Sequence, residues 1–213
     1  MILHTLITGP LGVNCYILES SGKNALVIDA GADAEKIQAV LEENGLTLRM
    51  LAFTHGHFDH IGGADALARP GAEVLVPELD EELFRDPVGT QGDFFPKGIL
   101  QKFKPPRITR LYREGDEIQL DEIRLTVLHT PGHTPGSSLF QGHGMLFTGD
   151  TLFAGAAGRT DLYGGDSRAR RESMKRIASL EGDDRIFPGH GESSSLSREK
   201  QTNLYLMEEF PIW

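Results

Sequence analysis

The chain has 213 residues, of which 39% are hydrophobic, and it carries a formal net charge of −10 at pH 7. This length and hydrophobic content suit one substantial core, so we predict a single domain over residues 1–213. The acidic balance opposes phosphate backbones and argues against nucleic acid as a partner. The N-terminus lacks the features of a secretory signal, and no apolar run has the length of a membrane span. We therefore expect a cytoplasmic protein with no membrane partner.

Hydrophobic periodicity and turn residues predict strands and helices mixed along the chain. We expect strands near residues 2–8, 13–19, 24–30, 48–54 and 73–76, and helices near 33–44 and 60–69. Beyond Pro77 we expect a helical stretch to about Arg85, strands near 108–112, 117–128, 137–141, 144–148 and 184–188, and helices near 166–179 and 197–208. Antiparallel hairpins mixed with helices are compatible with two packed sheets covered outside by helices.

Residues 86–107 form a long segment rich in Gly and Pro that also carries apolar side chains, among them Phe94, Phe95 and Phe103. Long irregular segments are often lids or binding loops. A satellite hydrophobic cluster is the alternative, and the sequence leaves both open.

Residues 54–60, Thr-His-Gly-His-Phe-Asp-His, place four metal-binding side chains within six positions. A short apolar run precedes the motif and a helical pattern follows it, so we place it on a loop from a strand to a helix. His55 and His57, two apart in extended backbone, can point the same way toward one ion. Asp59 and His60 project differently and can reach a second ion. Imidazole and carboxylate suit zinc, iron or manganese, and a tetrahedral zinc needs three or four ligands, so more ligands must lie downstream.

Three further residues of this kind follow predicted strands. His133 lies in a Pro/Gly turn after one strand, Asp150 ends another, and His190 follows a third in a Pro-Gly-His-Gly sequence. Each alone would be an ordinary turn residue. Together with the cluster of residues 55–60 they have the pattern of a site built at one rim of a sheet.

This order of residues resembles the metallo-β-lactamase superfamily, whose pattern is His-x-His-x-Asp-His, then His, then Asp, then His. The resemblance covers nearly the whole chain and includes an early acid after a strand, here Asp29, whose family role is to support the metal loop. It implies an αββα four-layer sandwich of the α/β (α+β) class. Within the superfamily, residues 14–16, 130–136, 149–153, 158–161 and 188–191 look like those of the glyoxalase II-like hydrolases.

The resemblance also implies a mechanism around two zinc ions, or a mixture of zinc, iron and manganese. Asp59 would orient a hydroxide held between the ions, which attacks the carbonyl of a hydroxyacyl thioester. The implied ligands are His55, His57 and His133 for one ion, Asp59, His60 and His190 for the other, and Asp150 between them.

The implied partner is a small-molecule thioester, and glutathione is one possible thiol carrier. Arg159, in a Gly-rich loop after Asp150, is a candidate for substrate binding, and a plain salt bridge with Asp161 is the alternative. Glyoxalase II proper carries a C-terminal helical domain that grips glutathione, whereas only residues 197–213 are available here for a terminal helix, so the carrier stays open.

Two other functions stay open. One is a persulfide dioxygenase, a relative with a single iron that His55, His133 and Asp150 would hold. The other is a metal-binding module without catalytic activity.

Overall fold

The computed structural model describes residues 1–207, which form two six-stranded sheets and a two-stranded hairpin. The first sheet has the order β1 Ile2–Thr8, β2 Val13–Glu19, β3 Asn24–Ile28, β4 Thr47–Ala52, β5 Glu73–Pro77 and β6 Arg110–Tyr112. The second contains β7 Glu117–Leu120, β8 Ile123–His129, β9 Ser138–Gly142, β10 Met145–Gly149, β13 Arg185–Pro188 and β14 Ser194–Ser195, in the order β14-β13-β10-β9-β8-β7. The hairpin pairs β11 Leu152–Phe153 with β12 Ala156–Ala157.

Helices follow the strands of both sheets. Six belong to the first half of the chain: α1 Ala34–Glu43, α2 Phe58–Ile61, α3 Ala64–Leu67, α4 Glu81–Arg85, α5 Pro87–Gln91 and α6 Lys97–Leu100. Two belong to the second half: α7 Ser167–Ser179 and α8 Leu196–Thr202. In the described part of the chain, no helix has the length and hydrophobicity that crossing a membrane requires.

Strand β2 shows how the layers are built. Tyr16 and Leu18 point into the core between the two sheets, whereas Cys15 and Ile17 point into a second core beneath the helices of the first sheet. A strand covered on both faces must be apolar on both, which explains its nearly continuous hydrophobic sequence. A third core lies between the second sheet and α7, α8 and the C-terminal turn. The layers are therefore helix, sheet, sheet and helix, which confirms the predicted αββα sandwich.

The predicted helix over residues 60–69 is wrong, because two glycines divide it into α2 and α3. A Cβ atom at Gly62 would lie 2.6 Å from the carbonyl oxygen of Gly31, and one at Gly63 would lie 2.9 Å from that of Ala30. The backbone N–H of Gly63 donates to Ala30 O at 2.9 Å. The segment after β3 thus packs against the helix backbone and interrupts it.

Two other predicted elements differ from the structure. The single strand over residues 117–128 is a hairpin, β7 and β8, whose turn contains Asp121 with φ +51°. The helix over residues 197–208 ends at Thr202, and Asn203 accepts a hydrogen bond from the N–H of Tyr205 to start a 3₁₀ turn, Leu204–Leu206. Residue 208 lies outside the described residues.

Residues 86–107 are more ordered than the sequence suggests, since they contain α5 and α6. Asp86 caps α5 by accepting a hydrogen bond from Gly89 N at 2.9 Å. Phe103 belongs to the core beneath the helices of the first sheet, so part of the segment packs into the hydrophobic core. Phe94, in contrast, is 47% exposed.

Candidate metal centre

The seven residues singled out in the sequence lie at one rim of the sandwich. Strands β3 and β4 of the first sheet run parallel, as do β10 and β13 of the second, so within each pair the carboxyl ends meet at the same edge. The loop after β4 carries His55 and His57, and α2 carries Asp59 and His60. His133 lies between β8 and β9, whereas Asp150 and His190 follow β10 and β13.

The potential ligand atoms form three overlapping groups, and in each group they lie within 4.8 Å of one another. The groups are His55, His57 and His133; His55, His60 and Asp150; and Asp59, His60 and His190. Short distances join the groups into one centre: Nδ1 of His57 lies 2.8 Å from Nε2 of His133, Nε2 of His60 lies 3.2 Å from Oδ1 of Asp150, and Nε2 of His190 lies 3.4 Å from Oδ2 of Asp59.

Unpaired polar atoms point into this centre. Nε2 of His55, Nε2 of His60 and Oδ1 of Asp150 are buried and make no hydrogen bond of acceptable geometry among residues 1–207, although the last two atoms lie 3.2 Å apart. A buried polar atom without a partner costs roughly 1–3 kcal/mol, so several together call for a bound group. Nitrogen and carboxylate donors at this spacing fit a transition-metal cation.

The outer nitrogens of four histidines are fixed by neighbours, which sets the direction of each ring. Nδ1 of His55 lies 3.1 Å from Thr54 Oγ1, Nδ1 of His60 lies 3.0 Å from Asp29 Oδ2, Nδ1 of His133 lies 2.8 Å from Arg159 O, and Nδ1 of His190 lies 3.1 Å from Leu11 O. These contacts leave Nε2 of each ring for the centre.

Asp29 supports the metal loop, as the family resemblance implies. Its carboxylate accepts hydrogen bonds from the backbone N–H and the hydroxyl of Thr54, both at 2.7 Å, and also contacts His60. Asp29 has φ +54°, a left-handed conformation that Asp tolerates better than most residues.

Asp80 is a supporting residue that the sequence did not reveal. It is fully buried. Its carboxylate accepts hydrogen bonds from Gly56 N at 2.9 Å, Thr134 Oγ1 at 2.7 Å and Gly136 N at 2.6 Å. Burial raises the pKa of Asp80 from its ordinary value, although these donors act in the opposite direction. In the sequence it stands among other acids and resembles a solvated helix face.

Gln91 and Asn14 hold the metal loops through their side-chain amides. Gln91 Oε1 accepts from Phe58 N at 2.8 Å, and its Nε2 donates to Gly56 O at 3.0 Å. Asn14 Nδ2 donates to Pro188 O at 3.0 Å and to Gly191 O at 2.9 Å. Asn14 stands in a segment that resembles the family, but its role depends on contacts with residues more than 170 positions away, which no sequence pattern indicates.

The electrostatic environment shifts the pKa values of the histidines in opposite directions. Burial, with the nearby His133, lowers the pKa of His57 to about 3, and burial lowers the pKa of His55 well below its ordinary value. Both rings are therefore neutral, as metal ligands must be. At His60 burial acts in the same direction, but the charges of Asp150 and Asp59 outweigh it and raise the pKa well above its ordinary value. A cation that binds there displaces a proton.

Arg159 lies beside the centre and forms the salt bridge that the sequence suggested. Its Nε and Nη2 donate to Asp161 Oδ1 and Oδ2 at 2.6 and 2.7 Å. Its guanidinium carbon lies 5.0 Å from the centroid of the Phe94 ring.

The model of the metallo-beta-lactamase superfamily matches residues 8–190, and the chain belongs to this superfamily. Fold and site together make it a metal-dependent hydrolase of that class. Among curated proteins, the chain is 35% identical to the hydroxyacylglutathione hydrolase GloC of Haemophilus influenzae, over 91% of this chain and 92% of the relative.

The chain is also similar in structure to solved proteins. The BLEG-1 B3 metallo-beta-lactamase has a TM-score of 0.84 and 30% identity, over 96% of this chain and 99% of that chain. TTHA1623 in a di-iron-bound form has a TM-score of 0.80 and 34% identity, over 94% and 98%. The fold therefore accommodates a two-metal centre in a protein similar to this one.

Proposed function

We propose that the protein is a glyoxalase II-like thioesterase that hydrolyses a hydroxyacyl thioester at a two-metal centre. The observation that carries this proposal is the convergence of all seven His and Asp side chains at one rim, in overlapping groups that share His55 and His60. The similarity to GloC over nearly the full length of both chains supports the substrate class.

In this proposal each ion has its own set of donors. His55, His57 and His133 would hold one ion, Asp59, His60 and His190 the other, and Asp150 would serve both. The position of Asp150 suits a shared ligand, because its Oδ1 lies 3.2 Å from His60 Nε2 while its Oδ2 lies 3.6 Å from His133 Nε2. When bound, two zinc ions, or a mixture of zinc, iron and manganese, would lower the pKa of bound water and stabilise negative charge on a carbonyl oxygen.

Asp59 is the proposed catalytic carboxylate. Its Oδ2 lies 3.4 Å from His190 Nε2 and 3.8 Å from His60 Nε2, and the side chain is still 15% exposed. Burial alone would raise the pKa of Asp59, but His60 and His190 outweigh it and lower the pKa. An ionised carboxylate at the solvent side of the centre can accept a hydrogen bond from the attacking water and orient it toward the substrate.

A thioester suits a site of this kind. The parent thiol has a pKa of about 8.5, so the thiolate leaves without a strong general acid. An amide would need an additional proton donor. We propose a small-molecule thioester as the partner, Arg159 as a substrate-binding residue, and the cytoplasm as the location.

A substrate panel tests the proposal on metal-replete protein. The panel contains S-lactoylglutathione, the neutral S-lactoyl-N-acetylcysteamine, a chromogenic cephalosporin and glutathione persulfide. We expect hydrolysis of at least one lactoyl thioester at a rate far above that of the cephalosporin. Oxygen consumption with the persulfide and no thioester hydrolysis would identify a persulfide dioxygenase instead. Inactivity on the whole panel would favour a metal-binding module without catalytic activity.

A further inference from the structure

The guanidinium of Arg159 is fixed on one edge and one face. The edge formed by Nε and Nη2 donates to the carboxylate of Asp161 at 2.6 and 2.7 Å. The face lies over the ring of Phe94, with the guanidinium carbon 5.0 Å from the ring centroid. Within residues 1–207 the other terminal nitrogen, Nη1, makes no hydrogen bond, so the outer edge formed by Nη1 and Nη2 is available.

Arg159 and Phe94 both make contacts that lead to the loops of the metal centre. The carbonyl oxygen of Arg159 lies 2.8 Å from Nδ1 of His133, so its backbone is held by a residue of the centre. Phe94 packs edge-to-face on Phe95 at 5.0 Å, and Phe95 packs edge-to-face on Phe58 at 5.7 Å. Phe58 stands between His57 and Asp59 in the chain. Arg159 and Phe94 are therefore each connected to the metal centre, Arg159 through His133 and Phe94 through Phe95 and Phe58.

The position of Phe94 is set by its surroundings although its ring is 47% exposed. The preceding helix, α5, ends at Gln91, whose buried amide is bonded to the backbone of Phe58 and Gly56. The guanidinium of Arg159 lies over one face of this ring, and a cation–π contact is attractive even at an exposed site. Phe94 is therefore placed by its ring contacts with Arg159 and Phe95 rather than by full burial.

We propose that Phe94 is a specificity-determining residue, which together with Asp161 presents the outer edge of Arg159 to a carboxylate of the thiol carrier. This inference rests on the proposed thioesterase function and names the class of carrier, an anionic thiol such as a peptide with a free carboxylate. A planar guanidinium binds a carboxylate bidentately when its edge is free. Holding the long side chain in place before binding reduces the entropy lost on binding.

Two substrates with the same acyl group test the proposal. S-lactoylglutathione carries carboxylates on the thiol, whereas S-lactoyl-N-acetylcysteamine is neutral. We expect Phe94→Ala to raise KM for the glutathione ester about three- to fivefold, the loss that removal of one exposed cation–π contact produces, and to leave kcat and the KM of the neutral ester at the parent values. Phe94→Tyr keeps the ring and is expected to retain the parent KM. Ile99→Ala, at a side chain in the same segment that is 54% exposed, is the matched control and is expected to behave like the parent.

A double-mutant cycle shows whether Phe94 acts through Arg159. Arg159→Ala should raise KM for the glutathione ester at least as much as Phe94→Ala, and the double variant should be no worse than Arg159→Ala alone. Additive losses, or a loss of the same size on the neutral ester, would overturn the proposal.

Failure of the thioesterase function is distinguishable from failure of this inference. If the parent hydrolyses neither ester, the proposed function is wrong. The role of Phe94 in binding is then tested by calorimetry with S-methylglutathione and the metal-loaded protein. The inference stands if Phe94→Ala binds this thioether about three- to fivefold more weakly than the parent and Ile99→Ala does not. Equal affinities, or no binding by the parent, would refute it.

Discussion

The carboxylate of Asp80 accepts a 2.7 Å hydrogen bond from the hydroxyl of Thr134. Through its further bond to the N–H of Gly56, the same carboxylate connects the loop that carries His55 and His57 with the loop that carries His133. Three proposed ligands from two distant parts of the chain are thus held in register by one side chain outside the set.

Replacing Asp80 by Ala is expected to weaken metal binding by about 10–100-fold, the usual effect of removing a group that orients ligands. The change leaves the N–H groups of Gly56 and Gly136 without their acceptor. Zinc affinity is measured by competition with a chelator. Asp93→Ala, at an exposed carboxylate in the segment that follows, is the control. A folded Asp80→Ala variant with the zinc affinity of the parent would show that the two loops hold their register without this residue.

Metal-replete protein is expected to contain about two transition-metal ions per chain. The reason is that seven donors in overlapping groups exceed what one tetrahedral ion uses. Elemental analysis after dialysis gives the number. A limit of about one iron that survives excess zinc would favour the dioxygenase, and protein without any metal would contradict both enzyme hypotheses.

Metal affinity is expected to fall as the pH falls, because protons compete for the same nitrogens. Burial opposes the charged form of His60 and His190, but neighbouring carboxylates outweigh it and raise the pKa of both. Protons therefore compete with zinc for these two rings at a higher pH than they would for an ordinary histidine. Calorimetry at pH 7 in buffers of different ionisation enthalpy should detect proton release on zinc binding. An affinity that is constant between pH 8 and 6 would be inconsistent with the raised pKa values.

Asp59→Asn is expected to reduce kcat of thioester hydrolysis by about 10²-fold or more, with a smaller change in KM. The amide has a similar shape but does not accept a proton from the attacking water. Steady-state kinetics are compared at equal metal content, with Asp65→Asn on α3 as the control. Turnover within a few-fold of the parent would remove Asp59 from the catalytic role.

His190→Ala separates the two enzyme hypotheses. If two ions carry out hydrolysis, this variant should lose one ion and nearly all thioesterase activity. If one iron held by His55, His133 and Asp150 reacts with a persulfide, oxygen consumption should largely survive. Metal content and both activities are measured on the same preparation, so a variant that retains two ions and full hydrolysis would show that His190 is not a ligand.

The sequence predicted all seven proposed ligands, and for four of them the signal is entirely local. His55, His57, Asp59 and His60 stand within six residues, so their common chemistry is visible without a fold. Asp80 lies 24 residues from Gly56, and its role exists only because the end of β5 passes beneath the metal loop.

For the fold too, features with a local sequence signal were predictable, whereas features that depend on distant residues were not. The short apolar run of β2 predicts a strand directly, and the αββα layers followed from the family resemblance. The break between α2 and α3 was not predictable, because it depends on the approach of Ala30 and Gly31 from a neighbouring strand end. Periodicity alone continues the helix through Gly62 and Gly63.

The hydrogen bonds from Asn14 to Pro188 and Gly191 join residues up to 177 positions apart. A growing chain leaves the ribosome from its N-terminus, so His55 to His60 emerge long before His133, Asp150 and His190 are made. An ion captured early would be held by an incomplete set of donors. The second set of proposed ligands is therefore complete only after the segment that follows β13 has paired with Asn14 and brought His190 into place.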